Sequence, residues 1–201
     1  MREGSGLEDP DGALVAQGKA SRVITLDAPA VVTLTMVPSI FEAVRVRMEP
    51  LSVSRETFDA ARAQGASAPL CSGLLIADVP IHSQRDRDLY RRLRSRWAWI
   101  PATADRGAAA TLLRATKQPS ILLADESVTR VAARELRIPV LGSVELLIVG
   151  GREQWVDPKD AIAAYAEWKA QRGHLLGESY MSMRDFRRAL NGKREAVSAT
   201  A

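Results

Sequence analysis

The chain has 201 residues, 46% of them hydrophobic and 26% charged, with a formal net charge of +4 and a pI near 9.6. That length predicts one domain with enough apolar material for a core; no apolar stretch approaches the roughly 18 residues of a membrane span, and the start lacks the basic-then-apolar pattern of a signal peptide. A single cysteine, Cys71, excludes an internal disulfide and a cysteine-only zinc site, and His82 and His174 form no HExxH spacing. The expected location is therefore a reducing cytoplasm away from membranes, and the mild basicity permits nucleic-acid binding without requiring it.

Residues 1–21 are rich in Gly, Asp, Glu and Ser and lack periodicity, which predicts a mobile leader; 193–201 predict a mobile tail. The first strand is expected over 23–26, then a turn at Pro29 into a short helix over 30–36. Residues 44–48 alternate Val44, Val46 and Met48 with Arg45 and Arg47, the period of a half-buried strand. Ser54 caps an expected helix over 55–64, with Gly65 as its stop. A strand follows over 74–77. A helix is expected over 83–97, with Tyr90, Leu93 and Trp97 on one face, and an alanine-rich helix over 106–115.

The best-defined unit comes next. Residues 121–124 predict a strand, Ser127 an N-cap, and Val128, Val131, Ala132 and Leu136 an apolar helical stripe. Pro139 ends that helix and Val140-Leu141 begin another strand, so the crossover is expected to be right-handed. Residues 145–149 predict a helical turn stopped by Gly150-Gly151. Asp157-Pro158 start a helix running to Gly173. A last helix starts at Ser182, with Asp185 partly forming a capping box and Met183, Phe186 and Leu190 facing inward.

Three of the apolar runs end in aspartate, at Asp27, Asp78 and Asp125. In a parallel βαβ sheet ligands bind just beyond the carboxyl ends of the strands. Carboxylates gathered there repel unless a cation lies between them, and Mg²⁺ prefers oxygen ligands. The pattern points to a metal-dependent site on an α/β sheet; the alternative is that these aspartates cap βα turns. No P-loop, GxGxxG or Ser-His-Asp arrangement is present.

The stretch Leu122-Leu123-Ala124-Asp125-Glu126-Ser127-Val128-Thr129-Arg130-Val131-Ala132, followed by Ile138-Pro139-Val140-Leu141-Gly142-Ser143-Val144-Glu145-Leu146-Leu147, resembles the C-terminal half of PIN-like domains, in the branch close to toxin nucleases. The opening Thr25-Leu26-Asp27-Ala28-Pro29-Ala30-Val31-Val32 resembles that family's first strand and first acid, and 157–190 its helical tail. The resemblance spans about 22–190, specific over 120–147 and weak over 40–110. It implies a three-layer α/β/α sandwich with a mainly parallel sheet over 22–150, and C-terminal helices over 151–192 packed on the same domain.

It also implies a Mg²⁺- or Mn²⁺-dependent endoribonuclease, the toxin of a toxin–antitoxin pair, in which the metal activates water against a phosphodiester. RNA is then the substrate, an antitoxin protein a partner, and a homodimer a further expectation. Carried over, Asp27 matches the first acid, and Asp125 with Glu126 the late pair. Two positions depart: Ala60 stands where the second acid belongs, near Glu56 and Asp59, and Ala108 follows Gly107 where the family has Gly-Glu. The expected catalytic acids are Asp27, Asp105 and Asp125, and the expected metal ligands these three with Glu126. Asp105 could equally cap its helix, and Glu126 could simply favour a helix start.

Residues 84–99 are rich in arginine. Arg87, Arg91 and Arg94 share one helical face and, with Arg130, are the expected RNA contacts, since guanidinium pairs with phosphate; the alternatives are a solvated face and, for Arg130, a carboxylate partner. Against the nuclease stands a second reading: a degenerate PIN-like module that keeps the fold, cleaves nothing, and acts by binding protein or RNA.

Overall fold

A computed structural model of the chain describes residues 23–48, 50–79, 81–95, 102–118, 120–172 and 181–192, with only the backbone of 102–105 and 172. The predicted leader and tail, Trp97, Trp99, Gly173 and His174 lie outside the described residues.

The elements in order are β1 (Val23–Leu26), α1 (Ala28–Met36), α2 (Pro38–Met48), β2 (Leu51–Ser54), α3 (Arg55–Ala63), the short α4 (Ala68–Cys71), β3 (Leu75–Ala77), α5 (Gln84–Ser95), α6 (Ala102–Lys117), β4 (Ser120–Leu123), α7 (Ser127–Glu135), β5 (Val140–Leu141), α8 (Ser143–Arg152), α9 (Pro158–Arg172) and α10 (Met183–Asn191). The strands form one all-parallel sheet in the order β3-β2-β1-β4-β5.

Strand residues point alternately to the two faces, and the two faces differ. Ile24, Leu26, Leu51, Val53, Ile121 and Leu123 enter one core with α1, α2, α8, α9 and α10. Leu122 and Ala124 enter a second core with Ala109, Leu112 and Leu113 of α6, Ala132 and Ala133 of α7, and Leu93 of α5. The second face carries small polar residues on β1 and β2, namely Thr25, Ser52 and Ser54, all fully buried. The C-terminal helices are held by Tyr165, stacked on Phe186 at 4.2 Å with its hydroxyl donating to the Met181 carbonyl at 2.7 Å.

Several expectations need correction. Residues 44–48 are the end of helix α2, not a strand: Ile40, Phe41 and Val44 are buried at helical spacing, and Val46 is 76% exposed. Strand β2 is an addition to the expected elements, because Leu-Ser-Val-Ser lacks the apolar run of its neighbours. Ser127 is the first residue of α7, whose N-cap is Glu126. The buried face of α7 is Thr129, Arg130, Ala132 and Ala133, while Val131 is 43% exposed.

Gly150 and Gly151 do not stop α8 but lie within it. A Cβ on Gly150 would meet the Trp155 ring and Val156 at 2.9 Å, so the next segment closes onto the helix only where a side chain is missing. Helix α6 starts at Ala102, so Asp105 sits inside it and does not cap it.

Candidate functional site

In this strand order the chain moves outward from β1 through β2 to β3, then returns to β4 on the other side. The switch point lies between β1 and β4, where a doubly wound sheet opens its crevice. Asp27 and Asp125 sit just past the C-terminal ends of these two neighbouring strands.

Asp27 caps α1: its Oδ1 accepts from the Ala30 N–H at 2.8 Å. Its Oδ2 accepts from the backbone N–H groups of Asp125 and Glu126 at 3.1 and 3.3 Å. Asp125 reaches onward to α8, where its Oδ1 accepts from the Ser143 N–H at 2.7 Å and its Oδ2 from the Ser143 hydroxyl at 2.8 Å. The two side chains thus tie the ends of β1, β4 and β5 in series. Each is only 1% exposed.

Burial pushes the Asp27 carboxyl well above the usual carboxylate range, and the nearby Asp125 charge adds to the rise. Burial also raises Asp125, with the Glu145 charge as a smaller contributor; the Ser143 donors and the Thr33 hydroxyl pull the other way. Two sealed carboxylates side by side therefore resist ionising together.

Around the pair, the half-buried Glu126 accepts from the Thr129 hydroxyl at 2.6 Å. Arg130 is buried and grips Glu145 with both terminal nitrogens, at 2.6 and 3.3 Å. On the β2 side the wall is built of hydroxyls. Ser54 caps α3 and lies 2.8 Å from the Thr57 hydroxyl, which is 2.7 Å from that of Thr111; Thr57 donates to the Gly107 carbonyl at 3.0 Å and Thr111 to the Leu26 carbonyl at 3.4 Å. Ala60 and Ala108 are buried beside this network. A Cβ on Gly107 would fall 3.3 Å from Thr57 Cα and 3.6 Å from Ala60 Cβ, so α3 and α6 are in close contact here.

Of the other expected residues, Glu56 is half-buried with one carboxylate oxygen sealed and unpartnered, and Asp59 is exposed. Asp78 is exposed well ahead of α5 and caps no helix. The side chain of Asp105 lies outside the described residues. Arg87 and Arg91 are exposed on α5, bonded to Gln84 at 3.0 Å and Asp88 at 3.1 Å, while Arg94 is half-buried. The roles of Ser143, Thr33, Thr57 and Thr111 are not readable in the sequence, where the only available signal is the Gly142-Ser143 turn after a strand.

Among the described residues no group of three or more His, Cys, Asp or Glu side chains is placed to hold a metal ion. Mg²⁺ demands near-octahedral oxygen coordination, whereas Asp27 and Asp125 each already spend both oxygens on donors of the fold. The described residues do not fit such an ion. No helix among them is long and apolar enough to cross a membrane. Compared with known proteins, the chain matches no family model, no curated protein and no solved structure.

Proposed function

We propose that this chain is a degenerate PIN-like module that has kept the fold and the central pair of acids but uses the pair to tie strand ends together, and that it binds RNA without cutting it. The observation that carries the first half is the saturation of Asp27 and Asp125 by backbone and Ser143 donors, with both side chains sealed from solvent. The alanines at Ala60 and Ala108 support it, since hydroxyls and methyl groups line the wall where the family places further acids.

The RNA half rests on α5. Its sequence carries five arginines against two aspartates, and one of these, Asp86, is buried against Lys117. Arg85, Arg87, Arg91 and Arg92 remain exposed, a surface suited to phosphates.

The test is fluorescence anisotropy with a mixed single-stranded RNA across a salt series, with millimolar Mg²⁺ or Mn²⁺ added in parallel. Binding should weaken steeply with salt, and replacing Arg87, Arg91 and Arg94 together by Gln should flatten the logarithmic slope by roughly 0.7 for each phosphate that is no longer neutralised. An unchanged slope assigns this face to solvent. The adjacency of Asp27, Asp125 and Glu126 at the switch point favours the nuclease as a second reading. Metal-dependent cleavage that disappears in Asp125→Asn would establish that reading instead.

A further inference from the structure

The segment ahead of β1 and the outer face of α5 carry opposite charge. Residues 3–11 hold Glu3, Glu8, Asp9 and Asp11 and no lysine or arginine. On α5, Arg85, Arg87, Arg91 and Arg92 are all exposed. Arg87 is held by the neutral Gln84 at 3.0 Å and Arg91 by Asp88 at 3.1 Å, while the guanidinium groups of Arg85 and Arg92 have no partner among the described residues. Asp86 is buried against Lys117, so it does not neutralise this face.

The fold sets the start of β1 close to the start of α5. The Asp86–Lys117 ion pair fixes the first turn of α5 to the last residue of α6. Lys117 stands three positions before Ser120, and Ser120 is the register partner of Val23. Neighbouring strands lie about 5 Å apart and three chain steps cover at most about 11 Å, so, with the two side chains of the ion pair added, Val23 is within roughly 30 Å of Asp86. Residues 12–22, which join the acidic segment to β1, span about 40 Å when extended. Arg91 and Arg92 are only about 8–9 Å farther along the helix.

A carboxylate offers a guanidinium the same paired oxygens as a phosphate does. Exposed ion pairs are individually weak, but joining the two partners through one chain supplies an effective concentration in the millimolar range.

We propose that the acidic segment 3–11 docks on the arginine face of α5 in the same molecule and competes there with RNA phosphates. The docking stands on charge and reach; the competition rests on the proposed RNA reading.

The test compares the full chain with a variant that combines Glu3→Gln, Glu8→Gln, Asp9→Asn and Asp11→Asn. Modification by phenylglyoxal at low ionic strength, read peptide by peptide by mass spectrometry, reports how freely each arginine is reached. An effective concentration equal to a millimolar dissociation constant keeps the face covered about half the time, so the α5 arginines should react about twofold faster in the variant. The exposed Arg184, Arg187 and Arg188 of α10 should react alike in both proteins. The difference should vanish at about 1 M salt, where charges are screened beyond ~3 Å. Single-stranded RNA should bind the variant about twofold more tightly, by the same occupancy. Equal α5 rates in the two proteins, or a change that falls on α10 instead, overturn the inference. Protection that fades on dilution also overturns it, because the contact then belongs to a second copy. Faster α5 modification with unchanged RNA affinity overturns the competition. Faster α5 modification with no RNA binding by either protein upholds the docking and overturns the reading of α5 as an RNA surface.

Discussion

Asparagine is nearly the shape of aspartate but has one acceptor oxygen instead of two, and that difference should separate Asp27 from Asp125. At Asp27 both oxygens accept from backbone N–H groups, Ala30 on one side and Asp125 with Glu126 on the other. Whichever way an asparagine amide turns, its NH₂ faces a buried N–H. Leaving one such donor unpaired costs about 1–3 kcal/mol. At Asp125 the only N–H is that of Ser143; the other groups acting on the carboxyl are hydroxyls, those of Ser143 and Thr33. An asparagine there accepts from the N–H and donates to the Ser143 hydroxyl oxygen; a hydroxyl can rotate, and that of Thr33 already donates to the Pro29 carbonyl at 2.9 Å, so no buried N–H is orphaned and the repulsion with Asp27 disappears. Asp125→Asn should therefore match or exceed the wild-type Tm, while Asp27→Asn should fall below Asp125→Asn by roughly 3–10 °C, at about 2–4 °C per kcal/mol for a chain of this size. Scanning calorimetry on metal-free protein at neutral pH measures both. Asp27→Asn as stable as Asp125→Asn would refute the argument. The pH dependence carries a definite sign. Both carboxyls have raised values in the folded state, so their contribution is fully present below the ordinary carboxylate range and is lost as pH rises through those raised values. The advantage of Asp125→Asn over the wild type should widen from acid to neutral pH.

Asp86 should behave in the opposite way: the Lys117 ammonium beside it, with donors from Ser83 and His82, holds its pKa down at about 2. Its contribution is present above the ordinary aspartate value and is lost as pH falls toward about 2. In Lys117→Met, NMR titration should find the Asp86 carboxyl returning toward its ordinary range, and an unmoved value would remove Lys117 as the cause. Gly150→Ala gains roughly 1 kcal/mol of helix propensity but drives a methyl group into Trp155 and Val156. Overpacking costs typically 1–3 kcal/mol, so the Tm should drop, and an increase would show that the Trp155 turn yields easily. Phe186→Ala removes a fully buried ring stacked on Tyr165 and should cost ~3–5 kcal/mol; chemical denaturation with an unchanged midpoint would contradict its place in the core.

Strands β1 and β4 are legible because they are largely apolar runs ending in aspartate, and the expectation that their ends meet comes from that repeated pattern together with the family resemblance. Strand β2 is not, because half of it faces the hydroxyl-lined side of the sheet. There Ser52 donates to the Leu75 carbonyl at 3.2 Å and Ser54 joins Thr57, so the strand reads as polar. Five alternating residues at 44–48 suit a strand and a helix equally, and only the Ile40–Phe41–Val44 stripe upstream decides between them. Gly150 and Gly151 look like a stop because the cost of glycine in a helix is local, whereas the reason they are tolerated is a contact with segments further along the chain. The approach of Asp27 to Asp125 follows from strand ends. What saturates them does not, because Ser143 reaches Asp125 only through the placement of α8 after β5.

The central position of β1 has a consequence for synthesis on the ribosome. One side of β1 is met early by β2, but its other side waits for β4, with Asp27 and Asp125 separated by 98 positions. Until β4 emerges, a nascent chain carries a largely apolar strand with one edge open, a template for pairing with other chains. The Asp27 oxygen that later receives the Asp125 and Glu126 amides is meanwhile wet and charged. A carboxylate destined for burial thus marks, during translation, the edge that must not close on the wrong partner.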